Sequence, residues 1–367
     1  MTADAIVIGG GIVGAACAEA LSRDGLSTIV VEPHVVGGGA TAAGMGHIVV
    51  MDDSEAQFAL TNYSRDLWRR LVPELPRDVE YEPAGTVWVA ADEAEMQAVY
   101  AKAKFYRERG VRTEVLEADE LARLEPNLRL GLRGGLLVPD DFVVYSPCFT
   151  KWLLDRAQRA TLAPGKAIAI EDRGVRLASG ERLDAPVVIC AAGTWTTAFY
   201  PDCGIRSRKG HLAITDRYPG FVRHQLIELG YLKSAHAHTS ESVAFNAQPR
   251  ATGQILLGSS RQFDVEDLSV EPHMMRRMIE RAVEYMPSIA HLSVLRTWTG
   301  FRAATDDHLP LIGPVSGAIG RFIAAGHEGL GITTSLATGQ LIADAIAGRA
   351  SAIDAAPYRP GRMAAHG

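Results

Sequence analysis

Residues 4–32, DAIVIGGGIVGAACAEALSRDGLSTIVVE, run from an apolar stretch through a glycine cluster and a helix-forming segment to a second apolar stretch. Ala5 to Ile8 reads as a buried parallel strand and Ile29 to Val31 as its neighbour, because both runs are apolar throughout. Between them Ala15 to Ser22 reads as a helix, with Gly25 placed to end it. Gly9, Gly11 and Gly14 form G-x-G-x-x-G at the strand-to-helix turn, and Glu32 closes the second strand. The three glycines do different things. Gly9 makes the tight turn, Gly11 admits a pyrophosphate to the backbone, and Gly14 lets the helix lie close to the strand. The helix N-terminus offers amide donors to the phosphates, and Glu32 can accept from ribose hydroxyls. This stretch predicts a dinucleotide site without choosing between NAD and FAD.

The rest of the composition narrows the class of protein. With 367 residues, 47% hydrophobic, 22% charged and 36 glycines, the chain is expected to be globular and rich in tight turns. A formal net charge of -6 with no long Lys/Arg block argues against nucleic acid as a partner. The longest apolar stretches, Ile6 to Ala18 and Val187 to Ala192, are too short or glycine-broken to span a bilayer, and the N-terminus lacks the basic region of a secretory signal. The expected home is the cytoplasm, with peripheral contact at the inner face of the membrane left open. Cys17, Cys148, Cys190 and Cys203 form no C-x-x-C and pair with no histidine spacing, so neither an iron-sulfur cluster nor a structural zinc is expected; Cys17 and Cys190 read as buried thiols.

Beyond the glycine-rich loop at 37–46, a helix is expected from near Ser54 with Phe58, Leu67, Trp68 and Leu71 inward, then a strand at Thr86 to Ala90. Helices are expected at 94–109, 118–124 and 147–160, the last starting at Pro147. VVICAAGTWT, 187–196, returns to the buried-strand pattern and ends in Gly193. From 206 to 298 the pieces HLAIT, SVAFNA and QILLGSS suit an antiparallel sheet, followed by a helix at 272–286 and a last helix at Gly331 to Ala347. RSRKG, 206–210, reads as a solvated basic turn in preference to an anion site.

Three stretches bear on the choice of dinucleotide. GGGATAAGMGHI has side chains small enough for backbone to pass close to a flat ring system, VVICAAGTW places a glycine after a buried strand, and GHEGLGI starts a helix whose N-terminus would stabilise an anionic ring. Together with GFRAATDDHLPLIG, 300–313, these motifs resemble, in order and over nearly the whole chain, the D-amino acid oxidase-like flavoprotein family, which includes glycine oxidase, sarcosine oxidase and D-amino acid dehydrogenases. ATAAGMGHIVVMDD and AAGHEGLGI narrow the resemblance towards bacterial hydroxyproline dehydrogenases and their opine- and proline-dehydrogenase relatives.

The resemblance implies an α/β fold: a Rossmann-like FAD-binding domain of the glutathione-reductase type, interleaved with an α+β substrate domain built on a mostly antiparallel sheet. The FAD-binding part would comprise 1–84, 140–205 and 300–367, and the substrate part 85–139 and 206–299. Noncovalent FAD would be served by Gly9, Gly11, Gly14 and Glu32, with Thr41, Ala42 and Ala43 along the phosphate-to-flavin path and Gly44, Met45, Gly46 and His47 near the isoalloxazine. Gly193 and Trp195 would lie on the returning strand, and Gly329, Leu330, Gly331 and Ile332 at the pyrimidine edge.

In the family the arginine of G-x-R-x-x-T-x-D grips the substrate carboxylate, and Arg302 matches it. A planar guanidinium suits two parallel charge-assisted bonds to a carboxylate. The alternative is an internal ion pair with Asp306 or Asp307. Where glycine oxidase carries a second arginine this chain has Glu328 and Gly329, and the strand SVAFNAQ lacks the expected tyrosine, leaving Phe245, Asn246 or Gln248 as pocket candidates. His47 and His327 sit in loops expected near the flavin, whereas His211, His236 and His238 read as structural or solvated. RATLAPGKAIAIEDRGVRL is shorter than its family counterpart beside the adenine.

The resulting expectation is a dehydrogenase that oxidises the C–N bond of a secondary or D-amino acid to an imine by hydride transfer to flavin N5, with cis-4-hydroxy-D-proline as the narrow choice. The alternatives are a glycine- or sarcosine-type oxidase passing electrons to oxygen, and a flavin subunit that needs electron-transfer or iron-sulfur partner chains.

Overall fold

A computed structural model describes residues 2–230, 241–263, 265 and 267–362. His236 and His238 lie outside the described residues.

Strand Ala5–Ile8 runs parallel to Thr28–Glu32 on one side, with Ala5 opposite Thr28, and to Val187–Cys190 on the other, with Ala5 opposite Val187. Ala160–Pro164 extends the sheet beyond Thr28–Glu32, and Arg321–Ala325 followed by antiparallel Leu311–Pro314 extends it beyond Val187–Cys190. The central strand is buried at all four residues, as a parallel strand covered on both faces must be. Helix Ile12–Arg23 covers one face and packs on the last helix, Gly331–Ala347. There a Cβ at Gly339 would meet the backbone of Ala16, so the glycine sets the approach of the two helices.

The second sheet has eight strands in the order Val294–Ala304, Arg206–Thr215, Ile255–Phe263, Glu241–Pro249, Gln225–Glu228, Thr86–Ala90, Gly134–Val138 and Glu114–Glu117. Its pairs are antiparallel except Gln225–Glu228 with Thr86–Ala90. Helix Pro272–Tyr285 covers one face, burying Met278, Ala282 and Tyr285 against Phe245, Ala247 and Leu257.

Several local expectations need correction. The helix expected at 147–160 spans Ser146–Arg156, because Ala160 is already the first residue of the edge strand. The strand expected to run to Gly193 stops at Cys190; Gly193 and Trp195 belong to the 3-10 turn Gly193–Ala198, entered through a positive φ of 59° at Gly193. RSRKG is no solvated turn. It opens strand Arg206–Thr215, where neighbours on both sides bury Arg208 and Lys209. Strand alternation then sends those two cations to opposite faces of the sheet.

Candidate active site

The turn between Ala5–Ile8 and Ile12–Arg23 behaves as its glycines require. A Cβ at Gly9 would stand 2.5 Å from the Ala191 carbonyl oxygen, and one at Gly14 would collide with the Gly9 carbonyl. Gly11 differs: a Cβ there would meet only the Thr41 hydroxyl, at 3.5 Å, so its backbone faces open space. The Thr41 hydroxyl accepts from the Ile12 amide at 3.1 Å and its carbonyl accepts from Ser146, which locks Ala40–Ala43 against the helix start. The Glu32 carboxylate accepts from the amides of Gly10 at 2.7 Å and His34 at 2.9 Å, which fixes its orientation at the strand end.

Ala43 lies against strand Val294–Ala304 so closely that a Cβ at Gly300 would overlap its methyl group. Gly46, with φ 89°, passes beneath the Val144 carbonyl and aims His47 at the start of the last helix. The Thr333 hydroxyl holds the His47 carbonyl at 2.9 Å, while the Thr333 carbonyl accepts from Trp68 Nε1 at 3.1 Å and from Ser64. Helix Glu55–Leu71, capped by Ser54 as expected, therefore fixes the end of Gly331–Ala347. Gly44 packs on the tip of Ile332.

Arg302 sits on this same wall. It lies opposite Arg208 in the ladder, and its Nη1 donates to the Ser260 carbonyl at 3.0 Å. The guanidinium lies directly over Gly210, where a Cβ would overlap it. The alternative partner Asp307 is gripped instead by Arg362, at 2.7 and 2.8 Å. A Gly210→Ala substitution should fold, since only the flexible end of Arg302 has to yield, yet it must move the guanidinium. We expect a loss of about 10- to 100-fold in kcat/KM at unchanged FAD content, the scale of a misplacement of about 1 Å; activity equal to wild type in steady-state assays would show that the position of Arg302 does not matter.

Around Arg302 stand groups of unequal standing. His47 is pushed down to about 4, first by burial and then by the Arg302 charge, with the Gly329 backbone opposing, so it is neutral at pH 7. Its Nδ1 is buried without a hydrogen-bond partner among the described residues, as are Asn246 Oδ1 and Gln248 Oε1. Gln248 Nε2 donates to the Met45 carbonyl at 2.6 Å, so Gln248 faces the loop, and Asn246, two residues away in the strand, shares that face. Phe245 points the other way, stacked on Tyr285 at 4.7 Å in the core, and is not a pocket residue.

His327 also leaves the site. Its Nε2 meets Thr338 Oγ1 at 2.9 Å, and that hydroxyl already donates to the Thr334 carbonyl, so the imidazole must be the donor. Burial pushes it down to about 3. His211 is structural, bonded to Ser260 Oγ and to the Glu271 amide. Trp195 is 65% exposed with Lys166 above its ring, outside any buried wall.

Two residues at the site escape a reading of the sequence. Arg208 falls in a stretch with the composition of a turn, and Arg261, 5% exposed, belongs to no motif. Arg208 pairs with Glu328, and His308 Nδ1 meets the other Glu328 oxygen at 3.0 Å. Burial pushes Glu328 upward, but His308, Arg208 and Arg261 outweigh it and hold it at about 2. His308 and Glu328, with φ 60° and 50°, are two of the three non-glycine residues with left-handed backbone among those described. Strain of this kind is held where the surroundings require it. The strand Arg206–Thr215 is buried almost without a break, so alternation in the sequence gives no signal for Arg208.

The groups present fit a bound dinucleotide. Neither Ile12–Arg23 nor Gly331–Ala347 has a side-chain N-cap or an acidic residue in its first turn, which leaves both positive ends for an anion. Added Cβ atoms at Gly39, Gly193 and Gly329 would meet nothing within 4 Å, so these loops present bare backbone. Such a wall beside a Rossmann-type turn defines a dinucleotide-binding protein.

The family model of the FAD-dependent oxidoreductases of the DAO type matches residues 4–345, and the chain belongs to that family. It is similar to glycine oxidase from Geobacillus kaustophilus, 26% identical over 97% of this chain and 96% of that protein. The crystal structure of that enzyme superposes with a TM-score of 0.88 at 25% identity, covering 98% and 99% of the two chains. It is also similar to a D-amino acid dehydrogenase of Xanthobacter autotrophicus, 28% identical over 83% of this chain and 73% of that one. Hydrogen cyanide synthase subunit HcnC of Pseudomonas aeruginosa is 26% identical over 99% and 96%. The chain is accordingly an FAD-dependent oxidoreductase. No helix among the described residues is long and apolar enough to cross a membrane.

Proposed function

We propose that this protein oxidises a secondary or D-configured amino acid to its imine, with cis-4-hydroxy-D-proline as the specific candidate. The observation that carries the reading is Arg302, held over Gly210 on the wall shared with Ala43 and next to the neutral His47. Arg302 would take the substrate carboxylate in paired charge-assisted bonds. The buried Asn246 Oδ1 and His47 Nδ1 are acceptors in want of a donor, suited to the amine N–H and a ring hydroxyl. FAD, when bound, supplies the two-electron acceptor. The carbon gives up its hydrogen with the electron pair and the nitrogen gives up a proton, so a held orientation matters more than a strong acid.

Glu328 supports a ring-shaped or N-substituted substrate. Paired with Arg208 and His308, it puts a carboxylate where a second arginine would grip a small primary amino acid. The FAD-binding part at 1–84, 140–205 and 300–367 and the substrate part at 85–139 and 206–299 belong to the same proposal, with the last boundary inside strand Val294–Ala304. The residues named for FAD contact, from Gly9 to Ile332, belong to it too.

A glycine- or sarcosine-type oxidase is the second reading, favoured by the likeness to glycine oxidase. A partner chain for electron transfer is a third, suggested by the word subunit in the name of HcnC. Anaerobic mixing of the yellow protein with a panel of amino acids decides the substrate: bleaching of the flavin band should be fastest with the cyclic D-amino acid. Faster bleaching by glycine, with peroxide formed in air, would overturn the proposal. Full turnover by the isolated chain with a dye acceptor would remove the need for a partner.

A further inference from the structure

We propose that Glu241, Gln262, Glu271 and His273 form a divalent-metal site of the zinc type, on the opposite face of the eight-stranded sheet from Arg302. Lys209 directly follows Arg208 in its strand and so faces away from it, and Gln262 is the ladder partner of Lys209. Glu241 opens the adjoining strand, while Glu271 and His273 stand at the start of helix Pro272–Tyr285.

The four groups converge on one point. His273 Nε2 lies 3.2 Å from Glu241 Oε1 and 3.9 Å from Glu271 Oε2. Gln262 Nε2 donates to the same two oxygens at 3.0 and 2.5 Å. Four ligands on tetrahedral bonds of about 2.1 Å stand about 3.4 Å apart, and the two separations of His273 Nε2 from the carboxylates bracket that value. The outward carboxylate oxygens are already fixed, Glu271 Oε1 by Lys209 at 2.8 Å and Glu241 Oε2 by Arg277 at 3.0 Å. Each carboxylate is thereby turned so that one oxygen points inward, the outer-shell arrangement that orients metal ligands.

Gln262 gives an independent indication. It is 2% exposed, its amide is aimed between the two carboxylates, and its Oε1 has no hydrogen-bond partner among the described residues. The two ends of an amide have the same shape, so half a turn places that oxygen on the common point. A cation there would give that oxygen a partner, while the amide nitrogen, turned away, would give up its two carboxylate acceptors. The His273 side chain is 57% exposed, which leaves the ion a way in. Bound there, the metal would clip two strands of the sheet to the helix start, with no part in the redox reaction.

The test uses the full-length, FAD-loaded protein, stripped with EDTA, dialysed and titrated with Zn²⁺ by calorimetry, with bound metal counted by mass spectrometry. One equivalent should bind and raise Tm. His273→Ala and Glu241→Gln should each weaken that binding by about 10- to 100-fold, the range for disturbed metal shells, with flavin absorbance and kcat unchanged. His273 is exposed enough that its alanine variant decides the matter even if the other fails to fold. Binding equally tight in both variants, or no retained equivalent in the wild type, would overturn the site.

Discussion

Replacing Arg302 by alanine is expected to lower kcat/KM for the carboxylate substrate by about 30-fold to several thousand-fold, or roughly 2–5 kcal/mol, the scale for truncating one partner of a buried hydrogen-bonded charge pair. FAD should stay bound, because the residues around the dinucleotide turn lie on other elements and are fixed by bonds of their own. Arg302→Lys should recover only part of the loss, since an ammonium can neutralise a carboxylate but cannot hold it in the bidentate plane. An amine lacking the carboxylate should be oxidised equally poorly by wild type and variant. Steady-state kinetics on these paired substrates check the assignment, and an unchanged kcat/KM for the acid in Arg302→Ala would sink it.

Acid should destabilise the protein through His327. The imidazole is buried, donates to Thr338 and is held down to about 3, whereas in the unfolded chain it titrates near the ordinary value of 6.5. Between those limits the unfolded state carries the extra proton, so its contribution is full above pH 6.5 and falls away as pH drops towards 3. Over the whole window the loss is about 4–5 kcal/mol, and between about pH 7.5 and 4.5 about 2–3 kcal/mol. His47, pushed down to about 4, acts in the same direction, while Asp141, raised to about 6 by burial against the pull of Arg65, acts in the opposite one. Both are common to wild type and His327→Gln, whose side chain can still donate to Thr338, so the difference between the two isolates His327. Urea melts at the two pH values should show a shallower acid loss in the variant; parallel losses would refute the assignment.

Much of the six-stranded sheet and its helices was legible in the sequence because their requirements are local. Gly9 is required by its φ of 109° and Gly14 by contact with the Gly9 carbonyl, both within one turn, and the apolar runs at Ala5–Ile8 and Val187–Cys190 name buried parallel strands without reference to their partners. Helix Glu55–Leu71, with its Ser54 cap and inward Phe58 and Trp68, and the last helix Gly331–Ala347 were likewise readable from periodicity. The eight-stranded sheet was less so. RSRKG has the composition of an exposed turn, and only the strands on either side of it make Arg208 and Lys209 interior residues.

The histidines and the strand SVAFNAQ show the same division. A histidine in a glycine-rich loop beside a helix start can face either way, and His47 and His327 face opposite ways: one stands by Arg302, the other bonds Thr338. Alternation made Phe245 and Asn246 mutually exclusive as pocket residues, but not which was in; the helix Pro272–Tyr285 resolves it by covering the Phe245 face.

By itself, the sequence determined the dinucleotide turn with the strands and helix that carry it, because backbone sterics and short-range periodicity act within a few residues; Arg302 was singled out only through the family resemblance. Tertiary structure alone decided that Arg302 lies over Gly210 instead of pairing with Asp307. It also decided that Glu328 is held by Arg208 and His308, and that Lys209 and Gln262 share the far face of the sheet with Glu241 and Glu271. Those arrangements join residues far apart in the chain, and which charges are buried together is set by the register of the strands between them.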